Sequence, residues 1–236
     1  MTSEIKFLIT RETGTRIRDW ARRQLDADPN GRGPFGDTYR TSTLYFETAD
    51  FDVFHRRGSF GRSKYRIRRY DGEPAVFLER KLRQSARLSK RRTTVPLAEL
   101  GRLSRSGGEW PGTWFQQRLQ LRALRPVCQI SYERVARVGA TSSGPIRLTV
   151  DDDIRALIRA DAAFSATRGL PVLANRMVLE VKYGGAMPAL VRQLVDEFSL
   201  MPVHASKYRR TVGALGLARE DAAATASLSA AVATCA

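Results

Sequence analysis

Hydrophobic and polar residues alternate along several short stretches of the chain, which is the pattern of β-strands that bury one face. This alternation predicts strands at residues 4–9, 39–46, 62–70, 75–82, 126–138, 145–151 and 176–183. Asp71-Gly72 stands between the third and fourth of these stretches and is typical of a hairpin turn. Many strands of similar length, mostly joined by hairpins, predict an α+β fold built on a large antiparallel barrel or sandwich.

Two longer segments follow the helical period instead. Residues 11–27 place Ile17, Trp20 and Ala21 on one face, and residues 187–199 repeat this amphipathic pattern. Shorter helices are expected at 50–57, 96–104 and 111–124, a loop at 28–37 and a basic connector at 83–95. These elements lie in one domain, residues 1–217. Residues 218–236 are mostly Ala, Ser and Thr, and we expect them to form a disordered tail.

The net charge changes this picture most. The chain carries 40 Lys and Arg against 24 Asp and Glu, a formal net charge of +16. Such a field attracts polyanions, among them nucleic acid, anionic lipid, nucleotides and polyphosphate. A GC-rich genome, which enriches proteins in Arg, explains the composition equally well. Stacking aromatic residues between the basic positions are sparse, so nucleic-acid binding is not expected.

The remaining composition excludes several classes of site. Two cysteines, Cys128 and Cys235, rule out a disulfide framework and a cysteine-based zinc site. Two histidines, His55 and His204, stand far apart and do not suggest a histidine-rich metal cluster. No apolar stretch approaches the length of a membrane span, and the N-terminus lacks an apolar signal core. We therefore expect a soluble, cytoplasmic protein without a membrane segment.

Within the predicted strands, charged residues recur at every second position and so share a face. Lys64, Arg66 and Arg68 are the clearest case, and similar pairs occur in most other strands. For any single strand, a solvent-facing polar surface is the simpler interpretation. If the sheet closes, however, these charges line its lumen and bind phosphates. The acids on the same faces would then be able to hold a divalent cation that bridges phosphate oxygens: Glu4, Glu79, Asp151 and Glu180.

The same residues carry a family resemblance. The chain resembles the VTC-type polyphosphate polymerase domain of the CYTH, or triphosphate tunnel metalloenzyme, superfamily, in a bacterial stand-alone form. The likeness spans most of the chain, in family order, and lies in Glu4-Ile-Lys-Phe, Tyr39-Arg-Thr-Ser-Thr-Leu-Tyr-Phe, Lys64-Tyr-Arg-Ile-Arg-Arg-Tyr, Phe77-Leu-Glu-Arg-Lys, Lys90-Arg-Arg, Ile130-Ser-Tyr-Glu-Arg, Arg147-Leu-Thr-Val-Asp, Leu179-Glu-Val-Lys-Tyr and Ser206-Lys-Tyr-Arg. Each segment alone is a weak signal, whereas the ordered set is specific.

The resemblance implies a closed antiparallel barrel, or tunnel, with flanking helices. It implies an enzyme that transfers the γ-phosphoryl group of ATP to inorganic polyphosphate, primed by pyrophosphate. The catalytic cations would be Lys6, Arg66, Arg68, Lys182 and Lys207. Further phosphate or nucleotide ligands would be Lys81, Lys90, Arg134, Arg147 and Arg40, and Glu180 would bind Mn²⁺ or Mg²⁺. The family's eukaryotic members work with membrane-embedded partners, and here such a partner would be a separate protein.

One departure from the wider superfamily bears on the reaction. Hydrolytic tunnel enzymes open with Glu-x-Glu-x-Lys, whereas this chain has Glu4-x-Lys6-x-Leu8. Lys6 thus adds a cation where those enzymes place a metal ligand, which favours the polymerase. A metal-dependent triphosphatase or polyphosphatase and a non-catalytic polyphosphate or nucleotide sensor remain the alternatives.

Overall fold

The computed structural model describes residues 2–84, 87–105 and 108–218, and this part of the chain contains ten strands and five α-helices. The strands are β1 (Thr2–Thr10), β2 (Asp26–Ala27), β3 (Thr38–Glu47), β4 (Ser63–Tyr70), β5 (Ala75–Gln84), β6 (Arg87–Pro96), β7 (Arg125–Thr141), β8 (Gly144–Ile158), β9 (Leu170–Pro171) and β10 (Arg176–Gly184). The helices are α1 (Arg11–Gln24), α2 (Asp52–His55), α3 (Thr113–Leu121), α4 (Ala189–Glu197) and α5 (Lys207–Ala214), and 3₁₀ turns cover Gly58–Arg62 and Leu97–Ser104.

All the strands belong to one antiparallel sheet. Its long strands are paired in the order β1-β10-β8-β7-β3-β4-β5-β6, while β2 pairs with β7 and β9 pairs with β8. Two hairpins join β4 to β5 and β7 to β8 directly. The predicted α+β class and antiparallel sheet are therefore confirmed.

One end of the sheet is backed by α1 and α4. Helix α1 begins at Thr10, whose side chain accepts a hydrogen bond from the backbone N–H of Thr13, a standard N-cap. Its buried face, including Ile17 and Trp20, packs with Val191 of α4 against the outer face of β1, β10 and β8. Each fully buried apolar side chain of this size contributes roughly 1.5–3 kcal/mol to folding.

The other end of the sheet has a second apolar cluster behind it. Phe115 and Leu119 of α3 pack there against Leu44, Ile67 and Leu78, which project from the outer faces of β3, β4 and β5. Because side chains alternate along a strand, burial of these residues on the outer side turns their neighbours Arg66, Arg68 and Glu79 toward the inner side. The two clusters thus fix which face of the sheet carries the charges.

The sheet is strongly curved, and its inner face is concave. Glu4 of β1 and Lys81 of β5 lie far apart in the order of strands, yet their side chains come within 4.0 Å of each other. Backbone pairing among the described residues does not join β1 to β6, so a closed barrel is not established. The free edge of β1 instead bonds to a returning segment, where the N–H of Val203 donates to the carbonyl of Lys6.

One expectation from the sequence was wrong, and one helix was not predicted. The segment 83–95, expected to be a connector, contains most of β6, which pairs with β5 from Arg87 to Pro96. Basic residues occupy both faces of this strand, so no apolar alternation marks it. Helix α5 was not predicted, since its first residues resemble a basic turn. The predicted tail lies outside the described residues except for residue 218, and it stays a prediction.

Among the residues that the structure describes, no helix combines the length and the apolar character needed to cross a membrane.

Candidate phosphate-binding site

Two carboxylates and two ammonium groups alternate on the concave face where β1 pairs with β10. In the register of these strands, Glu4 lies opposite Lys182 and Lys6 lies opposite Glu180. Lys6 Nζ is 2.6 Å from Glu4 Oε1 and 3.5 Å from Glu180 Oε2. Lys182 Nζ is 2.9 Å from Glu180 Oε1 and 3.5 Å from Glu4 Oε2. Each ammonium group therefore contacts both carboxylates, and these contacts allow the negative charges of Glu4 and Glu180 to lie side by side.

Neighbouring charges decide the protonation of Glu4, Lys6 and Glu180. Burial alone would raise the pKa of Glu180, but Lys182 and Lys6 outweigh it and hold that pKa well below its usual range. Burial and the nearby Glu180 push the pKa of Glu4 upward, yet its contacts with Lys6 and Lys182 leave it lowered. Burial would lower the pKa of Lys6, and the two carboxylates raise it instead. Both acids are thus ionised and Lys6 is charged at neutral pH.

A second ionic cluster lies beside the first, where β7, β8 and α5 meet. Arg134 makes two hydrogen bonds to Asp151, from Nε to Oδ1 at 2.6 Å and from Nη2 to Oδ2 at 2.8 Å. Lys207 Nζ lies 2.5 Å from Asp151 Oδ2. Both cations also lie near the ring of Tyr132, whose centroid is 5.3 Å from Arg134 Cζ and 5.2 Å from Lys207 Nζ. The Asp151 side chain is fully buried, so removing either cation would leave a partly unpaired internal charge.

Helix α5 brings Lys207 to the concave face because it is anchored at its start. Ser206 caps the helix, and Tyr208 donates a 2.5 Å hydrogen bond to Glu47 Oε2. Glu47 is fully buried and also accepts the backbone N–H groups of Val53 and Phe54. One carboxylate therefore ties the end of β3, the start of α2 and α5 together.

On the opposite half of the concave face, Glu79 serves as the counterion of three cations. Its Oε2 lies 2.7 Å from Arg66 Nε, and its Oε1 lies 2.7 Å from Lys90 Nζ and 3.2 Å from Arg92 Nε. Burial would raise the pKa of Glu79, but Arg66, Arg68 and Lys90 lower it to about 2. The side chain is 1% exposed and therefore stays ionised inside the fold.

The two halves differ in their charge balance. Among the side chains that the structure describes on β4, β5 and β6, Glu79 is the one concave-face carboxylate. The cations that share this half are Lys64, Arg66, Arg68, Lys81, Lys90 and Arg92. Arg68 reaches a neutral partner, donating from Nε to Thr43 Oγ1 at 3.4 Å. This half therefore has cationic groups available for an anion, whereas the half formed by β1, β10 and β8 pairs most of its cations with Glu4, Glu180 and Asp151.

Two predicted ligands lie apart from these clusters. Arg147 sits near one end of the concave face, where its Nη2 is 2.7 Å from Asp28 Oδ2 and 2.8 Å from the Tyr39 hydroxyl. It also lines, with Lys182, a cavity of about 600 Å³ at this end. Arg40 follows Tyr39 on β3, opposite Glu133, and strand alternation places it on the outer face. The structure thus places all the predicted site residues except Arg40 on the concave face, with Arg147 at one end of it.

The family model of the VTC domain matches residues 1–215. The chain belongs to the VTC family. Its fold is similar to that of a putative adenylate cyclase from Bacillus halodurans, with 19% identity, a TM-score of 0.50, and coverage of 86% of this chain and 92% of that one. It is also similar to the putative adenylyl cyclase HpAC1 from Hippeastrum, at 15% identity and a TM-score of 0.50, covering 88% and 93%. No curated protein matches the sequence.

Membership of the VTC family indicates a metal-dependent enzyme that transfers or hydrolyses phosphate and binds nucleoside triphosphates or polyphosphate. The acidic residues of this face fit a divalent cation that shares its coordination with a bound phosphate. No cluster of three or more His, Cys, Asp or Glu that would hold a metal occurs in the described ranges. Glu4 and Glu180 nevertheless lie beside common partners, and Mg²⁺ sites often use one or two carboxylates with substrate phosphates as further ligands. These residues suit a cation shared with a bound phosphate rather than a preformed cage.

Two cations of the concave face were not among the ligands assigned from the sequence. Lys64 was predicted to share the face of Arg66 and Arg68, but no individual role was assigned to it. Arg92 lies in the segment taken for a connector, so its position opposite Glu79 across β5 and β6 was hidden. The period-two spacing of Lys64 with Arg66, and of Lys90 with Arg92, was the available signal. Without the strand register, it does not tell which carboxylate each cation faces.

Proposed function

We propose that this protein is a polyphosphate polymerase that transfers the γ-phosphoryl group of ATP to the end of an inorganic polyphosphate chain. The observation that carries the proposal is the charge asymmetry of the concave face. A half with six described cations and one carboxylate faces a half in which two carboxylates lie together between Lys6 and Lys182. We further infer that the curved sheet closes around the substrate as a tunnel, which the approach of Glu4 and Lys81 supports.

The cation-rich half would bind the phosphate chain. Arg66 and Arg68 present planar guanidinium groups, which match the spacing of non-bridging phosphate oxygens and donate two hydrogen bonds each. Lys81 and Lys90 lie directly opposite each other across β5 and β6 and supply point charges along the same row. A linear polyanion lying across these strands would meet a cation at each strand, which suits a polymer better than a compact anion.

Phosphoryl transfer would take place beside Lys6 and Lys182. The terminal oxygen of the polyphosphate attacks the γ-phosphorus, the bond from that phosphorus to the β-phosphate oxygen breaks, and ADP leaves with the electron pair. The acceptor oxygen is already ionised at neutral pH, so no general base is required. Lys6, Lys182 and Lys207 neutralise charge that moves onto the departing and transferred groups. A divalent cation at Glu180 and Glu4, Mn²⁺ or Mg²⁺, would supply additional charge neutralisation on phosphate oxygens.

The pairing of the concave-face carboxylates with cations, such as Glu4 with Lys6, favours phosphoryl transfer over hydrolysis. A hydrolase needs a group that orients or deprotonates water, and carboxylates are the usual choice. In the described part of the concave face, Glu4, Glu79, Asp151 and Glu180 are all engaged by cations. Triphosphate hydrolysis is nevertheless the second candidate, because the Hippeastrum protein of similar fold is described as having a dominant triphosphatase activity.

The deciding experiment is a polymer assay. Purified protein is incubated with ATP, Mn²⁺ and a pyrophosphate primer, and long-chain polyphosphate is resolved on a gel. We expect polymer from the wild type and from Glu133→Gln, which removes an exposed carboxylate on the outer face. We expect none from Glu180→Gln or Arg66→Ala. Phosphate release from tripolyphosphate without polymer would establish the hydrolase instead, and tight binding without turnover would establish a sensor.

The proposed reaction also defines the partners. ATP, pyrophosphate and inorganic polyphosphate would occupy the site, and the need for ATP places the protein in the cytoplasm. A separate membrane protein that removes the product would be compatible with the concave face, since a polymer must leave it. Pull-down from a membrane extract, with Arg66→Ala as the polymer-free control, tests whether such a partner depends on the product.

A further inference from the structure

Lys64 occupies an unusual place on the concave face. It lies on β4 directly opposite Lys81 of β5, which in turn lies opposite Lys90 of β6, so one row across three strands consists of lysines. Lys81 reaches Glu4 at 4.0 Å and Lys90 reaches Glu79 at 2.7 Å. Lys64 differs, because its Nζ donates to a neutral hydroxyl, Ser206 Oγ, at 3.3 Å.

The charged groups that act most strongly on Lys64 are cations from four different parts of the fold: Lys6 of β1, Lys81 of β5, Arg66 of β4 and Arg56 after α2. Lys6 and Lys81 are in turn paired with the carboxylate of Glu4, and Arg66 with that of Glu79. The ring of Tyr208 on α5 lies 5.8 Å from the Lys64 nitrogen and completes its surroundings. Burial, together with repulsion from these cations, lowers the pKa of Lys64 to about 8. Lys64 therefore carries its charge at neutral pH but loses its proton more readily than an ordinary lysine in mildly alkaline solution.

We propose that Lys64 is an additional phosphate ligand, placed in a row of lysines with a neutral hydroxyl as its partner, and that in mildly alkaline solution the polyanion and a proton bind there together. The inference rests on the proposed function, in that the concave face must hold a phosphate chain. An anion beside the row of lysines reverses the local potential and favours the ammonium form. The neutral amine takes one proton from solvent and forms a third N–H bond, Ser206 remains an acceptor, and the ammonium group donates to a phosphate oxygen. The bonds of the phosphate chain do not change.

The proposal predicts a measurable uptake of protons. Tripolyphosphate is titrated into the whole protein in a calorimeter at about pH 8.5, in two buffers with different ionisation enthalpies. The dependence of the measured heat on the buffer gives the number of protons exchanged. Lys64→Arg is the main comparison, because a guanidinium group stays charged at this pH and cannot take up a proton. The difference between the two proteins removes protons exchanged by the ligand itself.

We expect the wild type to take up on the order of half a proton more per ligand than Lys64→Arg, given a lysine that is largely neutral at this pH. Wild-type affinity should fall relative to Lys64→Arg by up to about tenfold per pH unit above the pKa of Lys64. Lys64→Met should bind more weakly than either protein and show no extra uptake. Arg118→Met removes one exposed cation from α3 and should behave as the wild type.

Two results would overturn the inference in different ways. Equal proton exchange by wild type and Lys64→Arg, with tripolyphosphate bound by both, would sink the role of Lys64 and leave the proposed function intact. Absence of tripolyphosphate binding by the wild type would remove the proposed function and this inference together. Thermal melting of each variant without ligand shows whether a loss of binding reflects a loss of folding.

Discussion

Glu4 Oε2 lies 4.0 Å from Lys81 Nζ, although β1 begins the order of paired strands and β5 stands seventh in it. This contact connects the two ends of the concave face through side chains. Among the described residues, the backbones of β1 and β5 are not hydrogen-bonded to each other. Glu4 is 25% and Lys81 40% exposed, so the attraction is screened by water and by salt.

This contact can be measured by a double-mutant cycle. Glu4→Gln, Lys81→Met and the double variant are unfolded in urea at low and at high salt. We expect a coupling free energy of about 0.2–1 kcal/mol at low salt, because the pair is partly exposed, and a smaller value at high salt. Zero coupling at low salt would mean that the two ends of the sheet do not meet in solution.

Glu79→Gln should be one of the most destabilising single changes on the concave face. It removes the common counterion of Arg66, Lys90 and Arg92 and leaves their charges facing one another. Breaking such a buried cluster from one side typically costs about 3–5 kcal/mol of folding free energy. Glu99→Gln, which removes a half-exposed partner of Arg102, is the control and should cost under about 1 kcal/mol. Urea unfolding measures both, and equal effects would contradict the cluster.

The same residue predicts an acid dependence. The pKa of Glu79 is about 2 in the folded protein and lies near 4.5 in the unfolded chain. A lowered carboxyl pKa stabilises the fold above the unfolded value, and this stabilisation is lost as the pH falls from about 4.5 toward 2. Wild type should therefore lose up to about 3 kcal/mol more than Glu79→Gln across this window. Parallel pH profiles of the two unfolding free energies would show that the cations do not hold Glu79 ionised.

Lys64 predicts a second rise of stability with pH, in alkali. Its pKa of about 8 lies below the unfolded value of 10.5, so between these limits the unfolded chain binds more protons than the fold. Stability of the ligand-free protein should thus rise with pH across this window, by up to about 3 kcal/mol from this residue. The free energy of unfolding of wild type minus that of Lys64→Met isolates the effect. A difference that stays constant from neutral pH to about pH 10 would contradict it.

Tyr208→Phe tests how Lys207 is positioned. Loss of the hydroxyl removes one hydrogen bond from the buried Glu47 and should cost about 1–3 kcal/mol. Because α5 is anchored there, its amide hydrogens should exchange faster, while those of α4 should keep their rate. Tyr183→Phe is the matched control, since Tyr183 is similarly buried on the outer face of β10. Equal exchange in α5 for both variants would show that Glu47 does not fix this helix.

Much of the sheet could be predicted because one physical signal is repeated in it. In β4, apolar Tyr65 and Ile67 alternate with charged Lys64, Arg66 and Arg68, and the structure places the first set outward and the second inward. The same alternation predicted that Lys6, Lys182 and Glu180 share one surface, and the register of β1 and β10 places them there. Alternation therefore specifies the composition of the concave face well.

The alternation of apolar and charged residues does not specify which strands pair with each other or how the sheet curves. Arg40 has the right chemistry for a phosphate ligand, but it stands one residue from Tyr39 and so occupies the other face. Strand β6 was missed because Arg91 and Arg92 put charge on both of its faces. The segment that returns along β1, through Pro202 and Val203, is bound by main-chain groups, which carry no sequence signal. The last of these misses concerns a non-local pairing.

The uneven distribution of cations described above also has a practical consequence for anyone who isolates this protein. Six ammonium and guanidinium groups lie on the concave face of β4, β5 and β6, where Glu79 is the described carboxylate. Their mutual repulsion falls when multivalent anions bind among them. Protein purified at low ionic strength should therefore retain bound cellular polyanions. A high-salt wash should remove these polyanions, and the washed protein should have a lower melting temperature, which added tripolyphosphate should raise again.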